Sequence, residues 1–71
     1  MIRFREKTSL NVITEFDEKN DNIVDEQEMT FKQGEKVDAE ICNEDDGDYC
    51  DLLFANGNKA ESVWKDCIEE V

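Results

Sequence analysis

Val37-Asp38-Ala39-Glu40-Ile41-Cys42-Asn43-Glu44-Asp45-Asp46-Gly47-Asp48-Tyr49-Cys50-Asp51-Leu52-Leu53-Phe54 decides the fold. Val37, Ala39 and Ile41 alternate with Asp38, Glu40 and Cys42, the period of a strand with one buried face. Asp46-Gly47 supplies the residues of a two-residue type I′ turn. With Asp45 opposite Asp48, Ile41 falls across from Leu52 and Ala39 across from Phe54. Both strands then turn apolar residues to one face. Cys42 and Cys50 face opposite ways in this register, so they cannot easily bridge.

Asn56-Gly57 reads as a second turn of the same kind, leading into a strand near 58–64 and making a three-stranded meander. Upstream, Leu10 to Phe16 alternates again, and Ile2 with Phe4 forms either a short extra strand or part of a tail over 1–9. Residues 17–28 read as a long acidic loop, with at most one 3-10 turn near 65–67. The core expected from the alternation is Leu10, Val12, Phe31, Val37, Ala39, Leu52, Phe54, Val63 and Ile68. Seventy-one residues accommodate one domain, 1–71, with a small core.

The charge is extreme. Twenty Asp and Glu against eight Lys and Arg leave −12. Arg3, Arg5 and Lys7 against Glu6 give residues 1–10 a net +2, so residues 11–71 carry −14. Such a chain repels nucleic acid and anionic membrane surfaces. No apolar run approaches a membrane span, and no signal peptide is visible. Histidine is absent, which removes the commonest general base and metal ligand. The expectation is a non-enzyme without cofactor or metal, in an intracellular compartment suited to three unpaired thiols.

Asp17, Asp21, Asp25 and Glu28 match positions 1, 5, 9 and 12 of an EF-hand loop, but Lys19 and Asn22 stand where a ligand and a glycine belong. A solvated loop is the plainer reading. Cys42, Cys50 and Cys67 contain no CxxC pair. Tyr49 and Trp64 fall opposite each other on the face away from the core, as either a cross-strand pair or an interface anchor.

Val12-Ile13-Thr14-Glu15-Phe16, Met29-Thr30-Phe31-Lys32-Gln33-Gly34-Glu35, Tyr49-Cys50 and Val63-Trp64-Lys65-Asp66-Cys67-Ile68 together resemble the SH3 domain over about residues 10–71. The resemblance implies an all-β, SH3-like barrel of about five antiparallel strands. Thr14, Trp64 and Cys67 replace residues of the proline-binding groove, which leaves Phe16 and Tyr49 and argues against proline recognition. In size and acidity the chain is also similar to the small DNA-mimic proteins with which bacteriophages take over a host, among them Bacillus phage inhibitors of the nucleoid protein HU.

That second resemblance implies an inhibitor whose carboxylates replace phosphates on a basic nucleoid-associated partner in the bacterial cytoplasm. A compact chain of this length spans about 25–30 Å, and that length of B-DNA carries roughly 16 phosphates. The expected contact residues are Asp38, Glu40, Glu44, Asp45, Asp46, Asp48 and Asp51, with Asp17, Glu18, Asp21, Asp25 and Glu26 as a second patch. Tyr49 and Trp64 are candidate aromatic anchors. The alternative is an SH3-like adaptor that grips a basic peptide, and a homodimer is left open.

Overall fold

Ala39 lies opposite Phe54 and Ile41 opposite Leu52, the register that alternation requires. The computed structural model describes residues 1–44 and 47–71. Asp45 and Asp46, on which the expected Asp46-Gly47 turn depends, lie outside the described residues. Among the described residues eight strands are formed: β1 (Ile2–Phe4), β2 (Thr8–Asp17), β3 (Asn22–Phe31), β4 (Lys36–Val37), β5 (Ala39–Cys42), β6 (Tyr49–Phe54), β7 (Lys59–Trp64) and β8 (Ile68–Glu70). A 3-10 turn at Lys65–Cys67 joins β7 to β8.

The strands make two sheets, in the orders β4-β1-β8 and β3-β2-β7-β6-β5. This corrects the expected SH3-like barrel of five strands: the larger sheet runs from β3 to β5 and is not closed. Two segments account for the difference. Ile2–Phe4 pairs with β4 on one side and β8 on the other, drawing both into a separate small sheet. Residues 22–31, expected to lie largely within an acidic loop, instead pair with almost the whole of β2.

β3 escapes a periodicity search because its first seven residues are all exposed and neither face is apolar. Cross-strand partners hold it instead. Leu10 faces Met29, and the Ser9 and Thr30 hydroxyls share a hydrogen bond of 2.9 Å. At the hairpin end, Asp17 accepts from the Lys19 N–H at 3.0 Å and from Asn20 Nδ2 at 2.8 Å. That Asx-type turn needs neither Gly nor Pro.

The second turn also differs from expectation. The Gly57 N–H donates to the Phe54 carbonyl at 2.9 Å and the Phe54 N–H to Asn58 at 2.8 Å, closing a three-residue loop. Gly57 takes φ 92°, whereas Asn56 is not left-handed, so the type I′ geometry is replaced by a type I turn with a left-handed glycine. Gly34, at φ 83°, occupies the third position of a turn closed from Glu35 N–H to the Lys32 carbonyl.

The core lies between the sheets and contains Ile2, Phe4, Val12, Phe31, Ala39, Cys50, Leu52, Ala60, Val63 and Ile68. Leu10, Val37 and Phe54 pack against it half-buried. Phe4 is fully buried and stacks on Phe31 at 4.4 Å, and Phe31 lies 6.1 Å from Phe54. Replacing Phe4 by Ala should cost about 3–5 kcal/mol, most of the stability open to so small a domain. Urea denaturation of Phe4→Ala should show a largely unfolded protein, while Ile23→Thr on the exposed strand should stay within about 0.5 kcal/mol of wild type.

Candidate partner-binding face

Directly paired residues in a sheet share a face, which allows the outer surface of the large sheet to be read row by row. Glu26 pairs with Ile13, Ile13 with Lys59, Lys59 with Leu53, and Leu53 with Glu40. This row crosses all five strands. It has a carboxylate at each edge and two apolar residues around one lysine in the middle. Four strand spacings separate its ends, about 19 Å.

The two acidic patches thus occupy opposite edges of one sheet. β2, β7 and β6 lie between them. On the β3 side stand Glu18, Asp21, Asp25, Glu26 and Glu28, all exposed. On the β5–β6 side Asp38, Glu40, Glu44 and Asp48 are exposed. Asp45 and Asp46, in the same patch by sequence, lie outside the described residues.

Four of the expected contact residues are engaged within the fold. Asp51 takes the Ser62 N–H at 3.2 Å and Asn43 Nδ2 at 2.9 Å, and lies 3.8 Å from Lys59 Nζ. It thereby holds a β-bulge at which Ser62 adopts φ 57°. Asp17 is committed to the hairpin turn, and the Asn20 amide, ahead of the backbone bonds, holds its carboxyl below the usual range. Asp25 accepts the Thr14 hydroxyl at 2.6 Å. Glu44 lies 3.4 Å from Lys65.

The EF-hand spacing does not converge on a point. Glu28 pairs with Asn11 and Asn22 with Asp17, so Glu28 and Asp17 sit about 20 Å apart along the hairpin. Among the described residues, no cluster of three or more His, Cys, Asp or Glu is placed to hold a metal. No helix among them is long and apolar enough to cross a membrane.

Tyr49 pairs with Trp64, their rings 6.1 Å apart and tilted by 55°, and both side chains are half exposed on the outer face. A second apolar feature was not anticipated. Ile13, Phe16 and Leu53, with Thr14, Glu15, Glu18, Gly57, Lys59 and Glu61, line a cleft of about 330 Å³. The signal for it is the doublets Val12-Ile13 and Leu52-Leu53. Consecutive apolar residues on a strand point to both faces, so the outer face must carry apolar surface as well.

Comparison with family models, curated proteins and solved structures finds no match to this chain. With the open two-sheet topology, that result removes the SH3 assignment. The likeness to phage-encoded HU inhibitors rested on size and acidity alone, and no homologue supports it.

The three cysteines are free: Cys50 is buried, Cys42 and Cys67 are half-buried, and Cys42 pairs with Asp51 on the face opposite Cys50. Burial, reinforced by nearby Glu44, pushes the Cys50 thiol up from its ordinary 9.0. Burial also raises Cys67, helped by its hydrogen bond to Glu6 Oε1 at 3.2 Å. The contribution of a thiol raised in the folded state is complete below the unfolded value. It is lost as pH climbs through that value towards the folded one. Stability should therefore hold below about pH 8 and fall above pH 9, with Cys50→Ala flattening the decline in thermal melts. A thiol reagent should count three groups after unfolding and react slowly with Cys50 and Cys67 before it. Asp51→Ala, by freeing the bulge, should cost about 1–3 kcal/mol in urea denaturation, whereas Glu40→Gln should leave stability unchanged.

Proposed function

We propose that this chain is a non-enzymatic binding protein that acts as a DNA mimic, its acidic sheet face occupying the DNA-binding site of a basic protein. The observation that carries this reading is the pair of carboxylate rows on opposite edges of one sheet. Glu18, Asp21, Glu26 and Glu28 flank one side and Asp38, Glu40 and Asp48 the other, with no ion pair to any described residue. The protein is 35 Å long in its greatest dimension, and B-DNA of that length carries roughly 20 phosphates. Carboxylates so arrayed meet the lysines and arginines of a DNA-binding surface while leaving DNA itself repelled.

The partner we propose is a basic nucleoid-associated protein of the HU type, met in a bacterial cytoplasm where three unpaired thiols remain reduced. Association is then fast and strongly screened by salt, since long-range charge steers the encounter. No catalytic step is invoked. The chain competes with DNA by occupancy alone.

The direct test is competition between this protein and a labelled duplex for HU. Duplex should be displaced, and the affinity of the protein complex should fall steeply between low and high salt. Glu26→Gln, Glu28→Gln, Asp38→Asn and Glu40→Gln should each cost about 0.2–1 kcal/mol. The fourfold variant should lose far more and fold at least as well, because the charges removed repel one another. Simultaneous binding of DNA and this protein to HU, or affinity indifferent to salt, would falsify the reading.

A further inference from the structure

The cleft on the outer face combines three features that narrow what fits it. Its floor is apolar: Ile13 is 7% exposed, while Phe16 and Leu53 remain 46% and 43% exposed with little around them. Its rim carries Glu15, Glu18 and Glu61, none with an ion pair or side-chain hydrogen bond to a described residue. Its single cation, Lys59, already has Asp51 3.8 Å from its ammonium.

These features exclude several occupants. A second copy of the chain would bring its own −12 to a rim already negative. Nucleic acid or an anionic lipid headgroup would meet the same repulsion. A neutral apolar ligand would strip water from three carboxylates and offer nothing in return. A cationic group alone would leave Ile13, Phe16 and Leu53 uncovered. The volume is at the low end for ligand pockets, enough for one side chain and its neighbours.

We propose that the cleft between Ile13, Phe16 and Leu53 seats an aliphatic side chain from an exposed segment of the partner protein, flanked on that segment by lysine or arginine. The flanking cations reach Glu15, Glu18 and Glu61 while the aliphatic group covers the floor. The inference rests on the partner being a basic protein, and adds to it an apolar anchor where edge charges alone give none. Interface energy concentrates in well-packed, desolvated pockets near the centre of the contact.

Three amidated, acetylated peptides are suitable probes, with the sequences Gly-Arg-Leu-Arg-Gly, Gly-Arg-Ser-Arg-Gly and Gly-Glu-Leu-Glu-Gly, titrated into isotopically labelled protein and followed by amide NMR. The arginine-leucine peptide should shift the amides of Ile13, Phe16, Leu53 and Lys59 and bind about tenfold more tightly than its serine counterpart. The glutamate peptide should not bind. Leu53→Ser, at a position 43% exposed, should reduce the leucine peptide to the level of the serine one and leave the serine peptide unchanged, with the variant's fold checked by its amide spectrum. Equal binding of the leucine and serine peptides, or shifts confined to Tyr49 and Trp64, would overturn the anchor. Salt-sensitive competition for HU would stand in that case, and its own failure would leave the peptide result intact, so the two readings fail separately.

Discussion

Phe4 stacked on Phe31 is the contact on which the rest depends. Phe4 is the last residue of a three-residue strand whose neighbours are β4 on one side and β8 on the other. Its backbone is held by Glu35 and Cys67, through N–H donors at Phe4 and Arg5. Arg3 adds a bond of 2.7 Å from Nε to Glu69. One short strand therefore closes the small sheet, covers the end of β3 and fixes the turn around Gly34. A domain of 71 residues has few apolar side chains to spare. Here two phenylalanines span the gap between sheets.

That economy bears on the charge. Among the described residues no polar or charged side chain is buried, so their carboxylates are left in water or at its margin. Repulsion among them opposes folding, yet screening keeps each exposed pair weak. The fold uses a few of the acids as structure: Asp17 closes a turn, Asp51 braces a bulge and Glu35 accepts the Lys32 N–H at 3.1 Å. Those carboxylates are spoken for. Glu26, Glu28, Asp38 and Glu40 stand exposed at the two sides of the large sheet, with the apolar centre between them.

The β5–β6 hairpin and the Tyr49–Trp64 pair were legible in the sequence because alternation and register each have a single solution there. β1 was only half legible, since three residues are too few for a period to assert itself. β3 was not legible at all. Its residues Asn22 to Glu28 serve neither face as an apolar stripe, and their strand form comes from β2 rather than from themselves. The SH3 reading went wrong at those two strands, and within the meander only the turn at Asn56-Gly57 departs from expectation. Of the candidate site, the acidic residues could be named from composition, but their separation to opposite edges depends on strand order, which no local pattern encodes. The cleft was foreshadowed by Val12-Ile13 and Leu52-Leu53, whose second members had no place in a one-faced core.

The pairing of Arg3 with Glu69, 66 positions away along the chain, has a kinetic meaning. The β2–β3 and β5–β6 hairpins join near neighbours and can form within microseconds of their synthesis or dilution from denaturant. The core cannot close around Phe4 until β8 arrives, and such distant contacts make folding slow relative to helical domains of similar size. During that interval the hairpins expose strand edges that would cross-pair between molecules. Like charges on those edges oppose such pairing. The same acidity that shapes the finished surface thus disfavours edge-to-edge contact between chains.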